Sequence, residues 1–194
     1  MMVVMQMRGP IVGLVLGALA GAGMGFVPLT PAVAQSERDA ALDILFEQLR
    51  NASSPQEAQR IDQQIWVIWT TPDDPMLAAQ MAEILEARRV MDIERAMELI
   101  EAVVARHPDY AEGWNQRATV NFMLGDFEAS LADIDRVLMY EPRHFGALAG
   151  KALIHRQLGQ DQEALEAMTR ALAVHPFLAE RALFPELAAP IVRI

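Results

Sequence analysis

Apolar positions in the second half of the chain follow a helical rhythm that returns on itself. Ala96, Ile100 and Val103-Val104 are separated by four and three residues. So are Ser130, Ile134 and Val137-Leu138, and again Ala164, Met168 and Ala171-Leu172. Spacings of three and four put such residues on one buried face of a helix. The set recurs every 34 residues, and Pro108, Pro142 and Pro176 close each copy. Proline ends a helix because it has no amide hydrogen and disfavours helix in the residue before it. Met91-Asp92, Gly125-Asp126 and Gly159-Gln160 stand ahead of each set, at the turn from a preceding helix. A period of this length marks one supersecondary unit stacked on copies of itself. The expected fold class is all-α, a solenoid of antiparallel helix pairs with units at 76–109, 110–143 and 144–177.

Two further helices are expected before these units. Leu42, Leu45, Phe46 and Leu49 form one apolar stripe, with Ser36 as its cap. Ser54-Pro55-Gln56-Glu57 reads as a cap, a first-turn proline and a capping-box glutamate. Ile61, Ile65, Trp66, Ile68 and Trp69 then supply a broad buried face, with both tryptophans read as core. Residues 35–75 are thus a helical hairpin, expected to cover the exposed end of the first unit, as terminal repeats do. Beyond Pro176, residues 178–194 form a short cap and tail. The apolar tail from Leu187 to Ile194 is expected to fold back on the last unit, with a contact surface for a partner or a second copy as the other reading.

The middle unit carries Trp114, Ala118, Leu124-Gly125-Asp126-Phe127, Ser130, Ile134, Val137 and Pro142. It resembles the tetratricopeptide repeat family. The third unit keeps Leu148, Ala152, Leu158, Gly159, Ala164, Met168, Ala171 and Pro176. The first is degenerate, with Gln80 where the family usually has an aromatic. The resemblance covers about residues 76–176 and implies a right-handed superhelix that binds a protein or peptide. Its first helices would line a concave groove. By register the lining is Ala78, Met81, Leu85, Arg88 and Arg89, then Glu112, Asn115, Thr119, Phe122 and Met123, then Gly146, Ala149, Leu153, Arg156 and Gln157. Three arginines against one glutamate predict a basic groove for an acidic or carboxylate-ended segment. The lysine and asparagine clamp of some family members has no counterpart at these slots. Trp114 is expected to pack between the two helices of its own unit.

Composition adds an address. Arg8, the apolar run Ile11 to Val27 and Ala32-Val33-Ala34 read as a secretory signal peptide over residues 1–34, cut before Gln35. Five glycines in the apolar run and Pro28 disfavour a permanent anchor. The expected location is periplasmic or secreted. The chain has no cysteine, so no disulfide contributes to stability. Loss of Arg8 with the signal leaves a net charge of −11, which argues against nucleic acid and anionic membrane surfaces.

Candidate chemistry is sparse. His107 and His175 precede repeat prolines, too far apart to share an ion. His144 and His155 read as residues of different helices without a carboxylate partner. Ser130 holds a packing position, and no serine has the setting of a nucleophile elbow. Asp133 and Asp135 read as a solvent-facing pair. No enzyme, metal or cofactor is expected. Two functions stay open: a module that docks a partner segment in the groove, and a structural scaffold subunit of an envelope assembly held through its convex face and apolar tail. Self-association fits either.

Overall fold

The structure is a computed structural model that describes residues 31–187, with side chains from residue 37. The expected signal segment up to residue 30 and the tail from residue 188 lie outside the described residues. Eight α-helices follow one another, with no strand among the described residues. They are α1 (Pro31–Arg50), α2 (Pro55–Thr70), α3 (Pro75–Arg89), α4 (Ile93–Arg106), α5 (Ala111–Leu124), α6 (Phe127–Tyr140), α7 (Phe145–Gln157) and α8 (Asp161–Val174). Two short 3₁₀ turns, Ala179–Leu183 and Pro185–Leu187, end the description. Helices α3–α4, α5–α6 and α7–α8 are the three expected pairs. Each repeat proline lies two residues beyond the end of a second helix.

Local chemistry explains the boundaries. Ser54 caps α2 by accepting the Glu57 N–H at 3.2 Å, and Glu57 reaches back to the Ser53 N–H at 2.8 Å. Asp74 accepts the Met76 N–H at 2.8 Å and opens α3 ahead of Pro75. Asp92 and Asp126 cap α4 and α6 through the Arg95 and Ala129 amides. The turn before each second helix needs a left-handed residue, and Gly125 and Gly159 fill that slot with φ of 78° and 71°. Met91 fills it in the first pair at φ 61°, the one non-glycine residue with positive φ among those described. Helix α1 begins at Pro31, so Ser36 lies inside it rather than at its cap.

The second helices bury the expected faces. Ala96, Ile100, Val103 and Val104 join Leu77, Met81 and Ile84 in one core. Ala164, Met168 and Ala171 join Leu148 and Ala152 in another. Ser130 is buried, and its hydroxyl donates to the Ala118 carbonyl at 2.8 Å, so a polar side chain holds the small-residue position.

Three expectations change. The hairpin α1–α2 does not take its packing partners from the first pair. Its core of Leu42, Phe46, Leu49, Ile61, Ile65 and Trp69 includes Phe145 and packs Val174 and Leu178, all from the third pair or just beyond it. Asp43 pairs with Arg143, whose guanidinium lies 4.3 Å above the Phe46 ring. Trp114 packs against the core of its own pair, as expected, and against that of the first pair as well, but it stays only half-buried. It donates Nε1–H to the Pro108 carbonyl, and the Arg117 guanidinium lies 4.7 Å over its ring. Asp133 faces inward, unlike Asp135. It accepts Arg117 through both carboxylate oxygens, at 2.7 and 2.9 Å, and Asn121 at 3.0 Å.

Candidate functional site: the concave face of the second and third pairs

Helices α3, α5 and α7 come together along a chain of polar side chains. Glu112 is 1% exposed and accepts from Asn115 at 3.2 Å, from Gln116, and from His144 at 3.0 Å. Arg88 donates to Gln116 and links α3 to the same chain. Burial lowers the Arg88 pKa from the ordinary guanidinium value, and the Glu112 charge opposes that shift. His144 caps α7, its Nδ1 accepting the Ala147 N–H at 3.1 Å. An acceptor Nδ1 puts the ring proton on Nε2, where it donates to Glu112. Sequence reading missed this pair: His144 and His155 belong to one helix, its cap and its last turn, and His144 has a carboxylate partner contributed by α5. No group of three or more potential metal ligands exists among the described residues.

Trp69 of α2 lies flat on His144, ring centroids 4.0 Å apart and planes 7° from parallel. Trp66 stands edge-on to His144 and Phe145. Its six-membered ring also covers Gly146, where an added Cβ would sit 3.1 Å from two ring carbons. Both tryptophans thus serve packing, as expected, but against the third pair. One end of the expected groove, at Glu112 and Gly146, is therefore filled by the hairpin.

What remains open is a cavity of about 190 Å³ between α5 and α7. Asn115, Ala118, Thr119 and Phe122 line one side, and Gly146, Ala149, Gly150 and Leu153 the other. The structure brings together Asn115, Thr119, Phe122 and Leu153 of the expected groove. Others lie elsewhere. Met81 is fully buried in the α3–α4 core, and Leu85 packs against the same core. Met123 and Gln157 are exposed, outside the cavity lining. The arginines have internal partners: Arg88 has Gln116, Arg89 has Glu86, and Arg156 has Glu186 at 2.9 Å and Asp161 at 3.8 Å. Arg156 also stacks 4.4 Å over Phe184, a fully buried ring that closes the third pair. The bonded Arg156 holds the Glu186 carboxyl below its usual range. The expected basic groove is thus corrected: none of the three arginines lines the cavity, and each has a partner on its own or a neighbouring element.

The sequence model of the tetratricopeptide repeat matches residues 81–138 and again residues 124–179. The chain belongs to the tetratricopeptide repeat family. A TPR repeat-containing protein of Rhizobium etli is 38% identical over 143 residues, which is 74% of this chain and 70% of that protein. Tetratricopeptide repeat protein 34 is 35% identical over 75 residues in mouse and 34% identical over 104 residues in human. The chain spans only 14% and 18% of those two proteins.

The tetratricopeptide register also accounts for Glu180, which sequence reading set on the outer face of a short last helix. Glu180 lines the cavity. It lies 34 residues beyond Gly146 and 68 beyond Glu112, at the slot a fourth first-helix would present. The 3₁₀ turn Ala179–Leu183 is the stub of that helix, cut short ahead of Pro185. Counting one period further along the chain would have found it.

Proposed function

We propose that this tetratricopeptide protein is an exported, non-catalytic interaction module that holds a segment of a partner protein on the concave face of its second and third pairs. The observation that carries the reading is the cavity between α5 and α7, open where the hairpin fills the neighbouring part of the face. Phe122, Ala149 and Leu153 offer apolar contact, and Asn115 and Thr119 offer hydrogen bonds. Such a mixture suits a peptide side chain with its backbone alongside. The leader-like residues 1–34 support export to the periplasm or beyond, with cleavage before Gln35. In this reading the mature chain takes no nucleic acid and does not reside in a membrane.

Photo-cross-linking tests the docking site. A reactive side chain at Thr119 or Leu153 should capture one partner, and one at Thr169, exposed on α8, should not. Equal capture from all three positions, or capture from Thr169 alone, would remove the groove from the account. The alternative, a scaffold subunit of an envelope assembly held through its outer surface, has its own observation. Val90, Leu124 and Leu158 are exposed at the same repeat position, 54%, 62% and 47%, and form an apolar row at the turns. Capture confined to that row favours assembly. N-terminal sequencing of the chain from its native cell tests export, with Gln35 as the expected first residue and an uncut leader as the contrary result.

A further inference from the structure

We propose that the cavity between α5 and α7 receives a lysine or arginine side chain of the bound segment, with Glu180 as its counter-charge. The inference rests on the groove reading above and names the chemistry of the segment. Its first support is the charge left over. None of the expected groove arginines lines the cavity, whereas Glu180 does, and it makes no hydrogen bond or ion pair among the described residues. A half-buried carboxylate facing apolar walls attracts a cation more strongly than one surrounded by water.

The second support is the type of polar atom on the walls. The two Glu112 oxygens lie together on one side of the Asn115 amide nitrogen, so one N–H serves both, and Asn115 keeps its Oδ1 acceptor and a second N–H. The Thr119 hydroxyl donates to the Asn115 carbonyl at 2.8 Å, and the Ser130 hydroxyl donates to Ala118. A hydroxyl whose proton is committed can only accept. With the Glu180 carboxylate, three of the four polar side chains lining the cavity can therefore only accept, and Asn115 offers an acceptor beside its one free N–H. An occupant rich in donors matches this set, and an ammonium or guanidinium supplies three to five donors. A carboxylate would meet the Glu180 charge with a single amide donor to offset it. The Ala147 N–H at the start of α7 is not available to it either, because His144 already accepts it.

Size is the third support. A space of about 190 Å³ is smaller than the roughly 300–1,000 Å³ of small-molecule pockets, yet it exceeds several waters at about 30 Å³ each. It suits one long side chain. Phe122 and Leu153 can pack the aliphatic stem, with the charged tip at Glu180.

Selection of random short peptides displayed on phage, with the full chain as bait, tests the proposal. The recovered peptides should be enriched in lysine or arginine relative to the input library. The best of them, fluorescently labelled, should lose about tenfold in affinity when its cation is replaced by glutamine, and raised salt should shrink that difference. Glu180→Gln should abolish the difference, and Glu180→Lys should turn the selection toward acidic peptides. Recovery of peptides without cationic enrichment, or a cation preference that survives Glu180→Gln, overturns the proposal and leaves the groove reading standing. If no recovered peptide is displaced by Phe122→Asp or Leu153→Asp in the bait, the groove reading falls with it.

Discussion

Tyr110 and His144 occupy the same slot of successive repeats, and both hold Trp69. His144 stacks on the indole, and the Tyr110 hydroxyl donates to the Trp69 carbonyl at 2.5 Å. Burial pushes the Tyr110 pKa well above 10, and the nearby Glu112 charge pushes the same way. A raised folded pKa means that the contribution of the neutral phenol is fully present below the unfolded value of about 10 and is lost as pH climbs beyond it. Urea titrations across the alkaline range should show stability level up to about pH 10 and falling above it. Tyr110→Phe should flatten that fall, at a cost of about 1 kcal/mol at neutral pH for the missing hydrogen bond. The tryptophans differ by burial. Trp69→Ala removes a ring packed against Phe46, Trp66, His144 and Phe145, and should cost about 3–5 kcal/mol. Trp114→Ala gives up a half-buried ring and a cation contact, and should cost about 2 kcal/mol. Thermal melts that ranked them in the other order would contradict the packing described.

At the scale of elements, the weakest turn is the first. Met91 adopts a left-handed conformation that its two counterparts reserve for glycine. Met91→Gly should stabilise the chain by about 1 kcal/mol, readable as a higher urea midpoint, because glycine removes the steric cost of positive φ. The hairpin has the opposite sensitivity. Gly146→Val would press a branched side chain into Trp66. Faster amide exchange across α1 and α2, with α4 and α6 unchanged, is the expected signature of its release. The second helices were legible in sequence because each buries one clean apolar stripe, as Ala96, Ile100 and Val103 do. The first helices were less so. Helix α5 is enclosed on several sides and buries Glu112, Asn115 and Gln116, so polarity no longer marks its outer face. A carboxylate such as Asp133 likewise reads as solvated until Arg117 and Asn121 are seen to meet it from another helix.

For the molecule as a whole, the 34-residue register brought equivalent positions of α5 and α7 to one cavity, because stacking carries equivalent positions to equivalent places. That is why Asn115, Thr119, Phe122 and Leu153 converge as expected. Register did not reveal the electrostatics, since the partners of Arg88 and Arg156 stand 28 and 30 residues away in other elements. Nor did it reveal where the hairpin docks, because apolar stripes state that a face is buried and not against what. That docking changes how the chain must come to its native state. An open array of repeats is held by neighbours alone and can unravel from either end. Here Asp43 and Arg143, 100 residues apart, join the two ends. Closing so long a loop forfeits chain entropy before any contact compensates, which slows the last step of folding. During synthesis α1 and α2 must wait, their tryptophans uncovered, until Phe145 has left the ribosome. Once closed, the ends protect each other, and denaturant should unfold all eight helices in one cooperative step where an open array would fray.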